Sequence, residues 1–146
     1  MRIAFVVARV GDERNVIQRL SLVLAAELRK LGDTVDVFPF TRGKLFSFLS
    51  YKNLRNYDCV LVANVGLQCA YFSIYKRLRL IRKPFIAISF GSDIRATNNR
   101  LINLFNRISK PALDLLIVIN PDLVAIGEKR GYRQVKYVHS WASALP

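Results

Sequence analysis

The sequence predicts an α/β fold, a Rossmann-like parallel sheet of about six strands with helices on both faces in a three-layer sandwich. Short apolar runs rich in β-branched residues recur along all 146 residues, and longer segments with helical spacing lie between them. No internal repeat, low-complexity tract or linker interrupts this order. Strands that alternate with helices favour right-handed βαβ units and a parallel sheet. We therefore expect a single domain over residues 1–146.

The elements follow from the spacing of apolar residues. We predict strands at 3–8, 34–40, 59–63, 85–89, 115–119 and 135–138, and helices at 16–31, 66–82, 98–110 and 121–130. Gly32 is a suitable stop for the first helix. Asn120 is the expected cap of the last helix, with Pro121 in its first turn and Gly131 after its end.

Composition excludes several classes of protein. The residues are 52% hydrophobic and 23% charged, which is typical of a globular domain and not of a disordered chain. Cys59 and Cys69 match neither a zinc site nor a redox pair, so we predict two reduced core thiols and no metal site. The first apolar run is too short for a signal peptide, and the uncharged stretch 59–75 is too polar for a membrane span. We expect a cytoplasmic protein.

The net charge of +13 is concentrated in one segment, because residues 41–83 carry nine basic side chains and one acidic side chain, a net +8. Such a segment favours an anionic partner: nucleic acid, an anionic membrane surface or a phosphorylated substrate. No recognition helix, RNP motif or zinc site is present, so no specific nucleic acid is expected. The alternative is that these cations complement a helix dipole. The candidate membrane- or anion-binding residues are Lys44, Lys52, Lys76, Arg77, Arg79, Arg82 and Lys83.

Polar residues follow the predicted strands, where open parallel sheets bind ligands. The first loop has Gly11 as its single glycine and includes Asp12, so it is neither a dinucleotide-binding nor a Walker loop. Asp93 follows a buried strand and is placed to accept hydrogen bonds from sugar hydroxyls or to act on a proton. We expect its carboxylate to be accessible, at the mouth of the largest cleft. The alternative is a helix cap beside a solvated Arg95, and the lone His139 is expected to be structural.

Several segments together resemble a known family. They are the opening 1–8, residues 28–37 around Gly32, residues 57–61, Lys83-Pro84 leading to Gly91-Ser92-Asp93, and residues 114–123. Over almost the whole chain they resemble the N-terminal domain of family 4 glycosyltransferases of the GT-B fold. The chain departs from that pattern at Gly11, where a glycine pair is common, at Phe90, where a histidine is frequent, and at 139–143.

The resemblance implies a function. The N-terminal domain of that family binds the acceptor, a C-terminal domain binds the nucleotide of the sugar donor, and catalysis occurs between them. The chain ends at Pro146, so we expect an acceptor-binding half with the donor domain absent and no activity alone. No cofactor is expected in this chain, since the nucleotide-sugar donor would lie on a partner domain or subunit.

The resemblance also implies site residues. Asp93 is the catalytic candidate, and the acceptor is expected to be lipid-linked or membrane-associated, with the protein peripheral on the inner membrane face. Alternative functions are a non-catalytic Rossmann-like binding module and a basic nucleic-acid-binding domain. The acceptor-binding candidates are Arg9, Gly11, Asp12, Asn64, Gly91, Ser92, Arg95 and Asn120.

Overall fold

The sheet has six parallel strands. A computed structural model describes residues 1–7, 16–40, 54–95 and 98–139. The sheet order is β2-β1-β3-β4-β5-β6, which confirms the predicted α/β class. The strands are β1 (Arg2–Val7), β2 (Thr34–Pro39), β3 (Cys59–Ala63), β4 (Phe85–Ser89), β5 (Leu115–Val118) and β6 (Val135–Tyr137).

Four helices lie within the described residues: α1 (Val16–Lys30), α2 (Leu67–Arg77), α3 (Arg100–Ser109) and α4 (Asp122–Lys129). All four were predicted, but α2 is shorter than the expected 66–82. Its end is set by Arg79, whose φ of 60° is left-handed. At this turn the N–H of Leu80 donates to the carbonyl of Tyr75, which closes the helix against its own last turn.

The central strands β1, β3 and β4 are buried on both faces, as continuous apolar runs require, and the edge strands β2 and β6 are more exposed. In β1, Phe5 faces a core that includes Ala25 of α1. Val6 faces the opposite core, which includes Phe72 of α2 and Leu123 of α4. Helix α3 packs against α2. The molecule therefore has the predicted three layers, with α1 on one face and α2 and α4 on the other.

The predicted helix ends are partly correct. Gly32 and Gly131 have φ values of 94° and 85°, which confirms them as left-handed stops after α1 and α4. The prediction that Asn120 caps α4 is wrong: the helix begins from Pro121 with no side-chain cap. By contrast, α3 is capped by Asn99, whose Oδ1 accepts from two backbone N–H groups of the first turn.

Candidate functional site

The carboxyl edge of the sheet collects the predicted catalytic and acceptor-binding residues that the structure describes. Asn64 follows β3, and Gly91, Ser92, Asp93 and Arg95 follow β4. The N–H of Asn64 donates to the carbonyl of Ile88 at 2.8 Å, so the ends of β3 and β4 are joined by one more ladder hydrogen bond. Asn120 follows β5 at the same edge and is exposed. The sequence thus placed these six residues at one edge correctly.

Other predicted residues lie outside the described residues. These are Arg9, Gly11 and Asp12 of the first loop, and Lys44 and Lys52 of the basic segment.

Asp93 is the centre of a hydrogen-bond cluster, which we call the Asp93 cluster and which comprises Val65, Ser89, Gly91 and Asp93. Oδ2 of Asp93 accepts from the N–H of Val65 at 2.7 Å. Oδ1 accepts from the hydroxyl of Ser89 at 2.6 Å and from the N–H of Gly91 at 3.1 Å. One carboxylate therefore fixes the loop after β3 to the loop after β4.

The prediction that Asp93 is accessible is wrong, because the residue is only 5% exposed. Its side chain turns into the interior, where the N–H groups of Val65 and Gly91 and the hydroxyl of Ser89 donate to it. Burial raises the pKa of Asp93, while the hydrogen bonds from Ser89, Val65 and Gly91 act in the opposite direction. This geometry suits a residue that positions loops, and it leaves the carboxylate almost closed to solvent.

Asn64 has the strained backbone of this edge. Its φ of 76° is in the left-handed region, which asparagine tolerates better than most residues. Its side-chain Oδ1 is buried and has no hydrogen-bond partner among the described residues. A buried amide oxygen without a donor costs about 1–3 kcal/mol.

The exposed side chains near the Asp93 cluster are charged or polar. Ser92 is exposed, and Arg95 forms an ion pair with Asp122 at 2.7 Å in which both side chains are about half exposed, 51% and 54%. The guanidinium of Arg130 donates to the carbonyl of Arg95 at 2.6 Å. The sequence places Asp122 in the loop after the fifth strand, at this same edge, but gives no sign of its pairing with Arg95, which is 27 positions away.

The predicted cation cluster lies at the other edge of the sheet. Helix α2 runs away from the carboxyl edge, so its last residues and the loop into β4 reach the amino edge. Among the predicted cations, Lys76 is already paired within the protein. Its ammonium group contacts Asp114 at 2.9 Å and the carbonyl of Lys83 at 2.7 Å. Arg77, Arg79, Arg82 and Lys83 are exposed.

A cavity at the amino edge is the largest of three that are lined by described residues. Its volume is about 570 Å³, against about 250 and 290 Å³ for two cavities beside α3. None of these three cavities is lined by Gly91, Ser92, Asp93 or Arg95, and that these residues line the largest cleft stays a prediction. We call the largest one the amino-edge cavity; it is lined by Leu54, Arg55, Leu78, Arg79, Leu80, Ile81, Arg82 and Lys83.

Other predictions concern metals, membranes and single residues. In the described ranges, no three His, Cys, Asp or Glu side chains come together as a metal site requires. No helix there is long and apolar enough to cross a bilayer. Cys59 and Cys69 are free and buried, as predicted. His139 is exposed, and its Nδ1 lies 2.9 Å from the hydroxyl of Tyr137.

Comparison with known proteins identifies the fold. No protein-family model matches the chain, and no curated protein sequence matches it. Anabaena HepE, solved in complex with UDP, superposes with a TM-score of 0.64 at 12% identity. The match covers 96% of this chain, and the chain spans 44% of the length of HepE. A conserved protein from Enterococcus faecalis V583 has a TM-score of 0.45 at 12% identity, over 94% of this chain and 92% of that one. The chain therefore shares the fold of part of a protein that binds UDP.

Proposed function

We propose that this chain is the acceptor-binding half of a glycosyltransferase that transfers a sugar from a nucleotide-sugar donor to a lipid-linked or membrane-associated acceptor. One observation carries the proposal: nearly the whole chain superposes on less than half of HepE, a protein solved with UDP. UDP is the nucleotide part of UDP-sugars. In this proposal a partner domain or subunit holds the donor, and this chain presents the acceptor.

The carboxyl edge supplies groups suited to a sugar. The amide of Asn64 and the exposed hydroxyl of Ser92 are hydrogen-bonding partners for sugar hydroxyls, and Asn120 adds a second amide. Gly91 is buried and has a φ of 118°, a conformation that glycine adopts readily, so it shapes the loop that presents Ser92. These residues, with Arg95, are the proposed acceptor contacts.

The proposed role of Asp93 differs from the one expected from the sequence. In sugar transfer the acceptor oxygen attacks the anomeric carbon, the nucleoside diphosphate departs, and a base accepts the acceptor proton. Asp93 is buried and already accepts three hydrogen bonds, so we assign it to holding the loops of Asn64 and Gly91 in place. The accessible carboxylate at this edge is that of Asp122, which is paired with Arg95.

The burial of Asp93 also favours a second candidate, a binding module that recognises a sugar without chemistry. The two candidates share the carboxyl edge as the binding site. They differ in whether a donor domain activates the chain. Addition of that domain would give sugar transfer in the first case and no transfer in the second.

The experiment that tests the shared site is ligand-observed NMR with a panel of hexose disaccharides. We expect saturation transfer to at least one sugar, and its loss in Asn64→Ala. Gln134→Ala is the matched control, since it removes an exposed amide that follows α4 and lies outside the carboxyl-edge loops. Equal binding by both variants would contradict the assignment of the acceptor site.

A separate assay tests the half-enzyme proposal. Purified chain incubated with UDP-glucose and the same sugars should release no UDP, because nothing in this proposal places a donor phosphate site on the chain. Measurable release above the rate of spontaneous hydrolysis would overturn that proposal and would leave the sugar-binding site intact.

A further inference from the structure

The charged side chains that are described along the amino-edge cavity are all basic. Its charged residues are Arg55, Arg79, Arg82 and Lys83, and among the described residues no acidic side chain lines it. The cavity lies at the opposite edge of the sheet from Asn64 and Asp93, so the proposed acceptor site makes no use of it. Cations that converge on a concave surface raise the local concentration of anions more than the same charges would on a flat one.

The loop that carries three of these cations is held at several points. Left-handed Arg79 turns the chain at the end of α2, and its N–H donates to the carbonyl of Lys76 at 3.0 Å. Ile81 anchors the middle of the loop, because it is only 3% exposed. Lys76 holds the far end through the carbonyl of Lys83 at 2.7 Å. A loop already fixed in the free protein loses little entropy when a ligand binds.

The cations of this loop are available to a ligand. Within the described residues, the side chains of Arg79, Arg82 and Lys83 form no hydrogen bond or ion pair, and all three residues are exposed. Lys76, in contrast, is neutralised by Asp114. Lys76 therefore supports the loop, and Arg79, Arg82 and Lys83 face solvent. Guanidinium groups pair well with phosphate because they present a planar set of donors.

The cavity also has an apolar rim. Leu78 is 64% exposed and Leu80 is 39% exposed, and both belong to the same fixed loop as the cations. A soluble phosphate compound would leave these leucines in water. An anionic phospholipid would satisfy both features, because its phosphate meets cations while its acyl region accepts apolar side chains.

We propose that the amino-edge cavity is a binding site for the phosphate of an anionic phospholipid, with Leu78 and Leu80 entering the apolar zone of the same membrane leaflet. The site holds the protein on the membrane by an edge that the acceptor site does not share. It stands whether or not the chain is half of a glycosyltransferase.

The test measures binding to vesicles by sedimentation. Vesicles of phosphatidylcholine with phosphatidylglycerol are compared with vesicles of phosphatidylcholine alone. The variant Arg79→Gln/Arg82→Gln is compared with Arg100→Gln/Lys136→Gln, which removes two exposed positive charges outside the cavity. Each cation near an anionic surface contributes about 1 kcal/mol, so we expect the first variant to lose about tenfold or more in affinity. The control should lose much less. Equal losses would overturn the proposal, since diffuse charge would then explain binding.

A second arm separates a lipid from a free phosphate compound. Leu78→Ser should weaken vesicle binding, while thermal melting of the variant should match the parent because Leu78 is exposed. Glycerol 3-phosphate is titrated by calorimetry without vesicles. Weak or undetectable binding of glycerol 3-phosphate supports the lipid assignment. Tight binding that Arg79→Gln/Arg82→Gln abolishes, with no effect of Leu78→Ser on vesicles, would assign the cavity to a soluble phosphate ester instead.

Discussion

Asp93 accepts a hydrogen bond from the backbone N–H of Val65 at 2.7 Å, across 28 positions of sequence. The same carboxylate accepts hydrogen bonds from Ser89 and Gly91, so one side chain holds together the loops that follow two neighbouring strands. The geometry of the carboxyl edge therefore depends on a residue that a ligand does not need to touch.

Replacement of Asp93 by asparagine should destabilise the protein. The amide NH₂ would face a backbone N–H or the Ser89 hydroxyl, so at least one donor would lose its acceptor. We expect a loss of about 1–3 kcal/mol in the free energy of unfolding, measured by urea denaturation. Asp122→Asn is the control, since its ion pair with Arg95 is about half exposed and such pairs contribute about 0–1 kcal/mol. Similar losses of unfolding free energy in both variants would show that the Asp93 cluster does not stabilise the fold.

The ionisation of Asp93 should make the free energy of unfolding depend on pH. Burial raises its pKa above the ordinary value of 3.8. The folded state then binds more protons than the unfolded state between the two pKa values, so the contribution is present below the unfolded pKa and is lost as pH rises through the folded one. The difference in unfolding free energy between the parent and Asp93→Asn should shrink with pH in that window. A carboxyl titration by NMR with a midpoint at or below 3.8 would contradict this.

Asn64→Gly tests whether the strained residue serves a ligand or the fold. Glycine adopts a φ of 76° without penalty, and the buried oxygen without a partner would be removed. We expect the free energy of unfolding to change by less than about 1 kcal/mol, because the relief of strain and of the unpartnered oxygen is offset by the larger unfolded-state entropy of glycine. Disaccharide binding should fall in the same variant. A loss of stability greater than about 1 kcal/mol would mean that the asparagine side chain supports the fold.

The two thiols should be inert in the native protein. Burial raises the pKa of Cys59 to about 11 and that of Cys69 to about 12. The thiolate is the reactive form, so a disulfide reagent at pH 8 should modify neither residue until the chain unfolds. Rapid modification of the folded protein would show that Cys59 or Cys69 opens to solvent.

The strands were the most predictable part of the molecule. β3 and β4 begin and end at the expected residues, because each is an uncharged apolar run between polar neighbours. Contacts between distant residues were not predictable. The burial of Asp93 depends on the hydrogen bond from the Val65 N–H. The ion pair of Lys76 depends on Asp114, which is 38 positions away. Spacing along the chain predicts which edge of the sheet a residue reaches, but it does not predict which hydrogen-bond or ion-pair partner the residue meets there.

The opposite placement of Asn64 and the amino-edge cavity has a consequence for reach. The two are separated by the length of β3, whose five residues span about 17 Å at 3.3 Å each. A bilayer seated on Arg79 and Arg82 would leave the acceptor crevice raised above the headgroups by at least that height. A single sugar on a lipid phosphate would stop short of it, whereas a chain of several sugars would arrive. If both proposals hold, the length of β3 would set the shortest glycan with which a lipid-linked acceptor could reach the carboxyl edge.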